Sequence, residues 1–185
     1  MLTHCDLGSA YVFSRVGSAW SLQSKLKAED DPEQIYFGHS VAIYADNIII
    51  GAHYGNGNDL MSGTVYSYSR QTGTLTWSLN GRIISADGKY RDSFGQSVSL
   101  QDDFLVVGAD GDSLPTDNMW EDQHKGSAYV FSITRGSPPH TNYTYTLLTK
   151  LTASDALQQE YFAKSVSISD DYIAVGKNTD SNYAG

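Results

Sequence analysis

The feature that most limits what this chain can fold into is a segment that occurs three times without insertion or deletion. The copies, which we call the frame, run from Lys25 to Gly51, from Arg82 to Gly108 and from Lys150 to Gly176. Each copy places an Asp, a Phe, a Ser-Val pair, a second Asp and a final Gly at the same relative positions. A single repeat cannot bury its own apolar face, so the copies are expected to stack on one another.

Each repeat contains four short stretches with the pattern of β-strands. The frame supplies two of them, separated by a tight turn that contains Asp. A Gly-led strand with alternating residues follows at 8–13, 63–68 and 126–131. A fourth strand carries an aromatic residue that we expect to pack within its own repeat, namely Trp20, Trp77 or Tyr145. Four short antiparallel strands per repeat are typical of a β-propeller blade.

The predicted fold is therefore all-β, with propeller blades of four antiparallel strands. Residues 1–185 are expected to form one propeller segment with two complete blades, at 37–84 and 94–152. A half-blade at 8–26 holds a third and a fourth strand, and a half-blade at 162–177 holds a first and a second strand. The 17 Gly, 13 Tyr and only 18% charged residues agree with a protein of strands and turns.

The two half-blades leave strand edges that need partners, because three blades are too few to close a ring. We favour a chain that is part of a longer propeller, since neither end shows a polar capping unit. Alternatively, identical chains complement their half-blades head to tail, and two chains then supply six blades. The expected partners are thus further blades of the same longer chain or of identical chains.

Four dipeptides in the chain resemble the landmarks of a known repeat. Phe37-Gly38, Gly51-Ala52, Phe94-Gly95 and Gly108-Ala109 are similar to the FG and GA pairs of FG-GAP repeats, the blades of integrin-alpha-like β-propellers, in the subtype that reads GSAYVF, FGxSV and VVGA. The resemblance covers nearly the whole chain and implies the propeller fold. In the third copy Ala163 replaces the Gly and Lys177 replaces the Ala, which suggests a relaxed or terminal unit.

The resemblance also implies a calcium site, because integrin-type blades bind calcium in a DxDxDG-like loop between their first and second strands. Here that connection is a tight turn, so we expect no cofactor there. Each turn Asp is expected to bond its own backbone, at Asp46, Asp103 and Asp171. A weaker calcium candidate is the pair Asp110 and Asp112. No other metal site is predicted.

Up-and-down strand order places the loops between second and third strands, and the connectors between blades, at one end of the propeller, here called the loop face. Both sets of segments are rich in Asp. The predicted ligand-binding residues are Asp59, Asp110, Asp112, Asp117, Met119 and Trp120. Two interpretations stay open for the acids, an acidic binding face or solvated loops. Likewise, Trp120 either stacks on a sugar or anchors a protein partner, or else packs on a neighbouring blade.

Charge and motifs exclude several classes of function. A formal net charge of −9 argues against nucleic acid and anionic membranes, which require clustered Lys and Arg, so neutral or cationic partners are expected. The sequence contains no transmembrane segment, no signal peptide and no catalytic motif, and we expect that it is not an enzyme. As a fragment of a longer secreted protein it would be extracellular or at the cell surface, where Asn142 is a glycosylation candidate.

The predicted function is a non-catalytic module for binding or adhesion that recognises protein or glycan through the loop face. The reason is that the blades are uniform while variation is concentrated in the loops. Two alternatives remain: a structural unit of an extracellular filament or surface assembly, and the accessory propeller of an enzyme that cleaves polysaccharides or phosphoesters.

Overall fold

A computed structural model describes residues 8–28, 36–70, 73–112, 124–136, 142–155, 157 and 159–179. These residues form twelve β-strands. In chain order the strands are β1 (Ala10–Val16), β2 (Ala19–Leu26), β3 (Ser40–Tyr44), β4 (Asn47–Ala52), β5 (Thr64–Arg70), β6 (Trp77–Ile83), β7 (Phe94–Gln101), β8 (Phe104–Ala109), β9 (Ser127–Arg135), β10 (Tyr143–Leu151), β11 (Phe162–Ser169) and β12 (Tyr172–Lys177).

The strands form four separate antiparallel sheets in sequence order. Strands β3 to β6 make one four-stranded sheet and β7 to β10 make another, while β1–β2 and β11–β12 are two-stranded sheets. This arrangement confirms the predicted fold class, an all-β chain with two complete blades and two half-blades that do not close into a ring. Within the described ranges, no helix is long and apolar enough to cross a membrane.

The first and second strands of each unit are joined by two-residue turns. The residues that flank these turns pair across the two strands: Tyr44 with Asn47, Gln101 with Phe104, and Ser169 with Tyr172. In the first of them the carboxylate of Asp46 accepts hydrogen bonds from Arg70, with 2.7 Å between Nε and Oδ1. The Asp46 carboxylate thus has a partner outside its own turn, in Arg70 at the end of β5. The expectation that it also bonds its own backbone stays a prediction.

The frame Phe is the centre of each complete blade. Phe94 is fully buried and meets the ring edges of Tyr129 and Phe131, with centroid distances of 5.2 and 6.2 Å. Phe37 makes the equivalent contacts in the first blade. Strand β4 is buried along its whole length, as its continuous apolar sequence predicts. Edge-to-face rings and buried aliphatic strands thus form the core.

The Ser-Val pair and the final Gly of the frame join neighbouring blades. The Ser40 hydroxyl donates to the Gly95 carbonyl at 2.7 Å, and the Ser97 hydroxyl donates to the Ala163 carbonyl at 2.9 Å. A Cβ atom on Gly108 would lie 2.2 Å from that same Ala163 oxygen, so only glycine fits between the two blades. We call this contact of serine, glycine and carbonyl the blade joint.

The fourth-strand aromatics also reach the preceding unit. The Tyr145 hydroxyl lies 2.7 Å from Ser67 Oγ and 2.8 Å from Asn47 Nδ2, both in the preceding blade. Trp20 is 67% exposed. The prediction that these aromatics pack within their own blades is therefore wrong for Trp20 and incomplete for Tyr145. The physical reason is that this position faces the preceding blade, and no described blade lies before β1.

Candidate ligand-binding site

A cavity of about 500 Å³ opens where the loops and connectors of three consecutive units meet. His53 and Tyr54 follow β4, Asp110 follows β8, Arg91 lies in the connector before β7, and Lys164 lies in β11. The loops and connectors therefore share one end of the molecule, as the strand order predicts. The size lies in the range of pockets that hold small organic ligands.

Equivalent positions of the repeat line this cavity with different side chains. His39, Gln96 and Lys164 occupy the variable position of the FGxSV motif in the three frame copies. His53 and Asp110 both follow the Gly-Ala pair that ends β4 and β8. The repeat thus places three segments of the backbone in similar positions around the cavity. The chemistry of the site arises from the side chains that differ between these segments.

One wall of the cavity is aromatic. The rings of His39 and His53 lie with centroids 3.9 Å apart, and Tyr54 lies 4.2 Å from His53. Across the cavity, His124 and Tyr161 form a stacked pair with centroids 5.4 Å apart. Two ring clusters thus face a space bordered by polar groups.

The pKa values of the two histidines of this wall are both lowered. Burial lowers the pKa of His53 to about 4, and the nearby His39 and Lys164 act in the same direction. Burial and the Lys164 charge likewise lower the pKa of His39. His53 Nδ1 is buried and has no hydrogen-bond partner among the described residues. A buried ring nitrogen of this kind marks a place where a further polar partner would be favourable.

The only carboxylate that borders the cavity, among the described residues, is balanced by a lysine. Asp110 is 5% exposed, and its Oδ2 lies 2.8 Å from Lys164 Nζ. Lys164 and Asp110 therefore compensate each other, and Arg91 is a further cationic residue that borders the cavity.

A second polar cluster lies in the blade formed by β7 to β10. It shows the structural role of the first Asp of the frame and of the basic residue with which the frame begins. Lys150 Nζ lies 2.7 Å from Asp87 Oδ2 and 2.5 Å from Asp112 Oδ2, and the Tyr129 hydroxyl donates to Asp87 at 2.9 Å. Burial alone would raise the pKa of Asp87, but the hydrogen bonds from Lys150, Ser85 and Tyr129 lower it to about 2. The cluster ties the connector before β7 to the end of β10, so its role is to close the blade.

Most of the sequence-predicted site residues lie apart from the cavity or outside the described residues. Asp110 lines the cavity, whereas the carboxylate of Asp112 is engaged by Lys150. Both are buried, at 5% and 7%, which differs from the exposed acidic loop that the sequence suggested. Asp59 is exposed and accepts a hydrogen bond from the Leu60 amide at 2.7 Å. The remaining three predicted residues lie outside the described residues: Asp117, Met119 and Trp120. Their ligand-binding role stays a prediction.

The residues proposed for calcium do not fit that ion. The turn carboxylate of Asp46 binds Arg70, and the weak candidates Asp110 and Asp112 each hold a different lysine ammonium group. Calcium requires several oxygens that converge on one point. Among the described residues, no three His, Cys, Asp or Glu side chains form a group that could hold a metal ion.

The histidines and tyrosines of the cavity could not be identified from the sequence, because their spacing along the chain matches no known motif for ligand binding. The sequence signal that could have pointed to the site is the third position of the FGxSV motif. It differs between otherwise similar copies, as His39, Gln96 and Lys164.

Comparison with known families agrees with the repeat and with the strand order. The family described as FG-GAP repeat matches residues 20–68, 77–131 and 145–185. A search of the curated proteins found no significant match. The three matched regions together span most of the chain, and the chain therefore belongs to the FG-GAP repeat family.

Proposed function

We propose that this chain is a non-catalytic binding module that recognises a neutral glycan through the cavity on its loop face. The observation that carries the proposal is the aromatic wall of His39, His53 and Tyr54 beside the cavity. The C–H faces of a sugar pack on aromatic rings, while its hydroxyl groups donate and accept hydrogen bonds.

Apart from Arg91 at its border, the charges around the site favour a neutral sugar over an acidic one. Lys164 is paired with Asp110, both histidines of the wall have lowered pKa values, and the whole chain has a net charge of −9. An anionic ligand would approach a protein of like sign. A neutral sugar avoids this cost and still meets polar groups such as Gln96 and Ser93.

We further propose that the binding module acts in adhesion outside the cell. Asn142 of the sequon is exposed immediately before β10, so a glycan could be attached without disturbing a blade.

The binding site is tested by replacing one ring of the wall. Tyr54→Ala is expected to weaken the binding of the best neutral glycan by about tenfold or more, because central aromatic residues dominate contact energy. The measurement is a screen of neutral and acidic glycans, followed by isothermal titration of the strongest binder with wild type and variant.

Tyr172→Ala is the matched control, because Tyr172 is exposed at a turn on the opposite end of the propeller. Its affinity should equal that of wild type. Equal affinity of the Tyr54→Ala variant, or binding of acidic glycans alone, would contradict the proposal. Trp120→Ala tests the separate sequence prediction for the long loop.

A further inference from the structure

We propose that Asp92 makes the shape of the cavity depend on pH. While neutral, its carboxyl group holds two cavity-lining segments together, and once ionised it lets them separate. Asp92 lies in the connector before β7 and is 2% exposed. The residues on either side of it, Arg91 and Ser93, both line the cavity. A change at this buried carboxyl group is therefore transmitted to the cavity through its immediate neighbours.

The connector is joined to the segment after β8 by a close backbone contact. The Gly111 amide donates to the Asp92 carbonyl at 3.1 Å, and a Cβ on Gly111 would lie 2.0 Å from the Arg91 carbonyl oxygen. Gly111 and Arg91 both line the cavity. We call this contact between residues 91–93 and 110–112 the loop clamp. Opening of the loop clamp would move two sides of the cavity apart.

The backbone on both sides of Asp92 is strained. Arg91 and Ser93 have φ values of 64° and 60°, in the left-handed region that residues other than glycine rarely adopt. Such conformations cost free energy and persist only where the surrounding structure fixes them. The connector therefore has a more relaxed alternative as soon as its anchoring weakens.

The charged groups near Asp92 compensate its ionised form only in part. Burial raises the pKa of Asp92 to about 7, and the charge of Asp112 acts in the same direction. The Lys89 amide and the charges of Lys150 and Lys89 oppose this shift. Lys150 is itself bound by Asp112 and Asp87, at 2.5 and 2.7 Å. Among the described residues, the other titratable groups of these segments are His124 and Lys125 before β9, Tyr129 in β9 and Asp110 after β8.

The third copy of the repeat contains the same buried carboxyl position. Glu160, like Asp92, precedes the frame Phe by two residues, and it is fully buried. Each carboxyl group accepts a hydrogen bond from the amide three residues earlier, from Lys89 to Asp92 at 2.7 Å and from Leu157 to Glu160 at 2.9 Å. The residues that flank Glu160 also have positive φ values. The two connectors are therefore a matched pair.

The matched pair differs in its counter-ion. Lys177 Nζ lies 2.9 Å from Glu160 Oε2. Lys177 replaces the Ala of the GA pair, and the second copy has Ala109 at that position. The lysine of the third copy thus supplies a cation that the second copy lacks beside Asp92. This difference makes the second connector the pH-sensitive one.

The sign of the effect follows from the raised pKa of Asp92 in the closed clamp. The neutral carboxyl group stabilises the closed clamp fully below about pH 3.8, and this stabilisation is lost as the pH rises through about 7. The cavity should therefore keep its shape in mildly acidic surroundings and loosen above neutral pH.

The proposal is tested by amide hydrogen exchange of the full chain at pH 6 and pH 8, followed by NMR and corrected for the intrinsic exchange rates. No ligand is needed, so the result does not depend on the proposed glycan. We expect the Gly111 amide to lose about tenfold protection, as linkage gives for pKa values of about 3.8 in the open clamp and about 7 in the closed one. Asp92→Asn should remove this loss.

Two controls separate the loop clamp from other titrations. The Arg70 amide donates to the Asp46 carbonyl at 2.9 Å at the opposite end of the propeller, and it should keep its protection. His124 Nδ1 lies 3.2 Å from the Gly111 carbonyl oxygen, so His124→Gln tests the competing histidine and should retain the loss.

Lys177→Met tests the matched pair, because it removes the cation from Glu160 and keeps a side chain of similar length. We expect this variant to introduce a loss of protection at the Leu157 amide between pH 6 and pH 8. Four results would overturn the proposal: equal Gly111 protection at both pH values in wild type, a loss that persists in Asp92→Asn, a loss that disappears in His124→Gln, or an equal loss at the Arg70 amide.

Discussion

Gly108→Ala is expected to lower the free energy of unfolding by about 3 kcal/mol or more, at the upper end of the cost of overpacking. The added methyl group would lie 2.2 Å from the Ala163 carbonyl oxygen and 2.3 Å from Ser97 Oγ. The serine hydroxyl can turn away, but the carbonyl belongs to the backbone of the next unit. Relief therefore requires β8 and β11 to separate, which breaks the blade joint.

Urea denaturation followed by tryptophan fluorescence measures this loss. Gly81→Ala is the matched control, because no atom lies within 4 Å of its added Cβ and its backbone is not left-handed. Its stability should stay within about 0.5 kcal/mol of wild type. If Gly108→Ala also left the free energy of unfolding unchanged, this result would contradict the contact of neighbouring blades at the blade joint.

Asp92→Asn is expected to stabilise the protein at pH 8 by about 2 to 4 kcal/mol, which follows from the pKa shift by linkage. Asp92 is 2% exposed, and burial raises its pKa to about 7, with the charge of Asp112 acting in the same direction. The Lys89 amide donates to Asp92 Oδ2 at 2.7 Å and opposes part of this shift. Asparagine retains an oxygen for that amide and carries no charge.

The sign of the pH dependence follows from a folded-state pKa that lies above the unfolded value. The carboxyl group of Asp92 contributes its stability fully below about pH 3.8 and loses it as the pH rises through about 7. The advantage of Asp92→Asn should therefore be largest at pH 8 and nearly vanish at pH 4. Asp103→Asn, at an exposed turn position, is the control. A variant that is no more stable than wild type at pH 8 would refute the effect of burial on Asp92.

The strands were predictable from the sequence because their signals are local. Alternation, tight turns and the recurrence of the frame placed four strands in each repeat, and the fold class is confirmed. The blade joint was not predictable in the same way. Ser40 meets Gly95 across 55 positions of the chain, and a Ser-Val pair in a strand carries no mark of such a contact.

The buried acids show a second limit of sequence reasoning. Asp110 and Asp112 lie in a polar stretch that looks solvated, and their partners Lys164 and Lys150 are distant in sequence. Packing of β11 beside β7 and β8 brings Lys164 to Asp110, so the ion pair is a product of the tertiary fold. The aromatic wall of the cavity has the same origin, since His39 and His53 meet only through the pairing of β3 with β4.

In the proposed mode of recognition, the repeated frame is scaffold and the ligand binds at the cavity on the loop face. The most direct measurement is an NMR titration of the isotope-labelled chain with the strongest neutral glycan from the screen. We predict that amide shifts concentrate at His53, Tyr54, Gly111 and His124 around the cavity. Shifts that cluster instead at the two-residue turns of the opposite end, around Asp46 and Asp103, would contradict the claim.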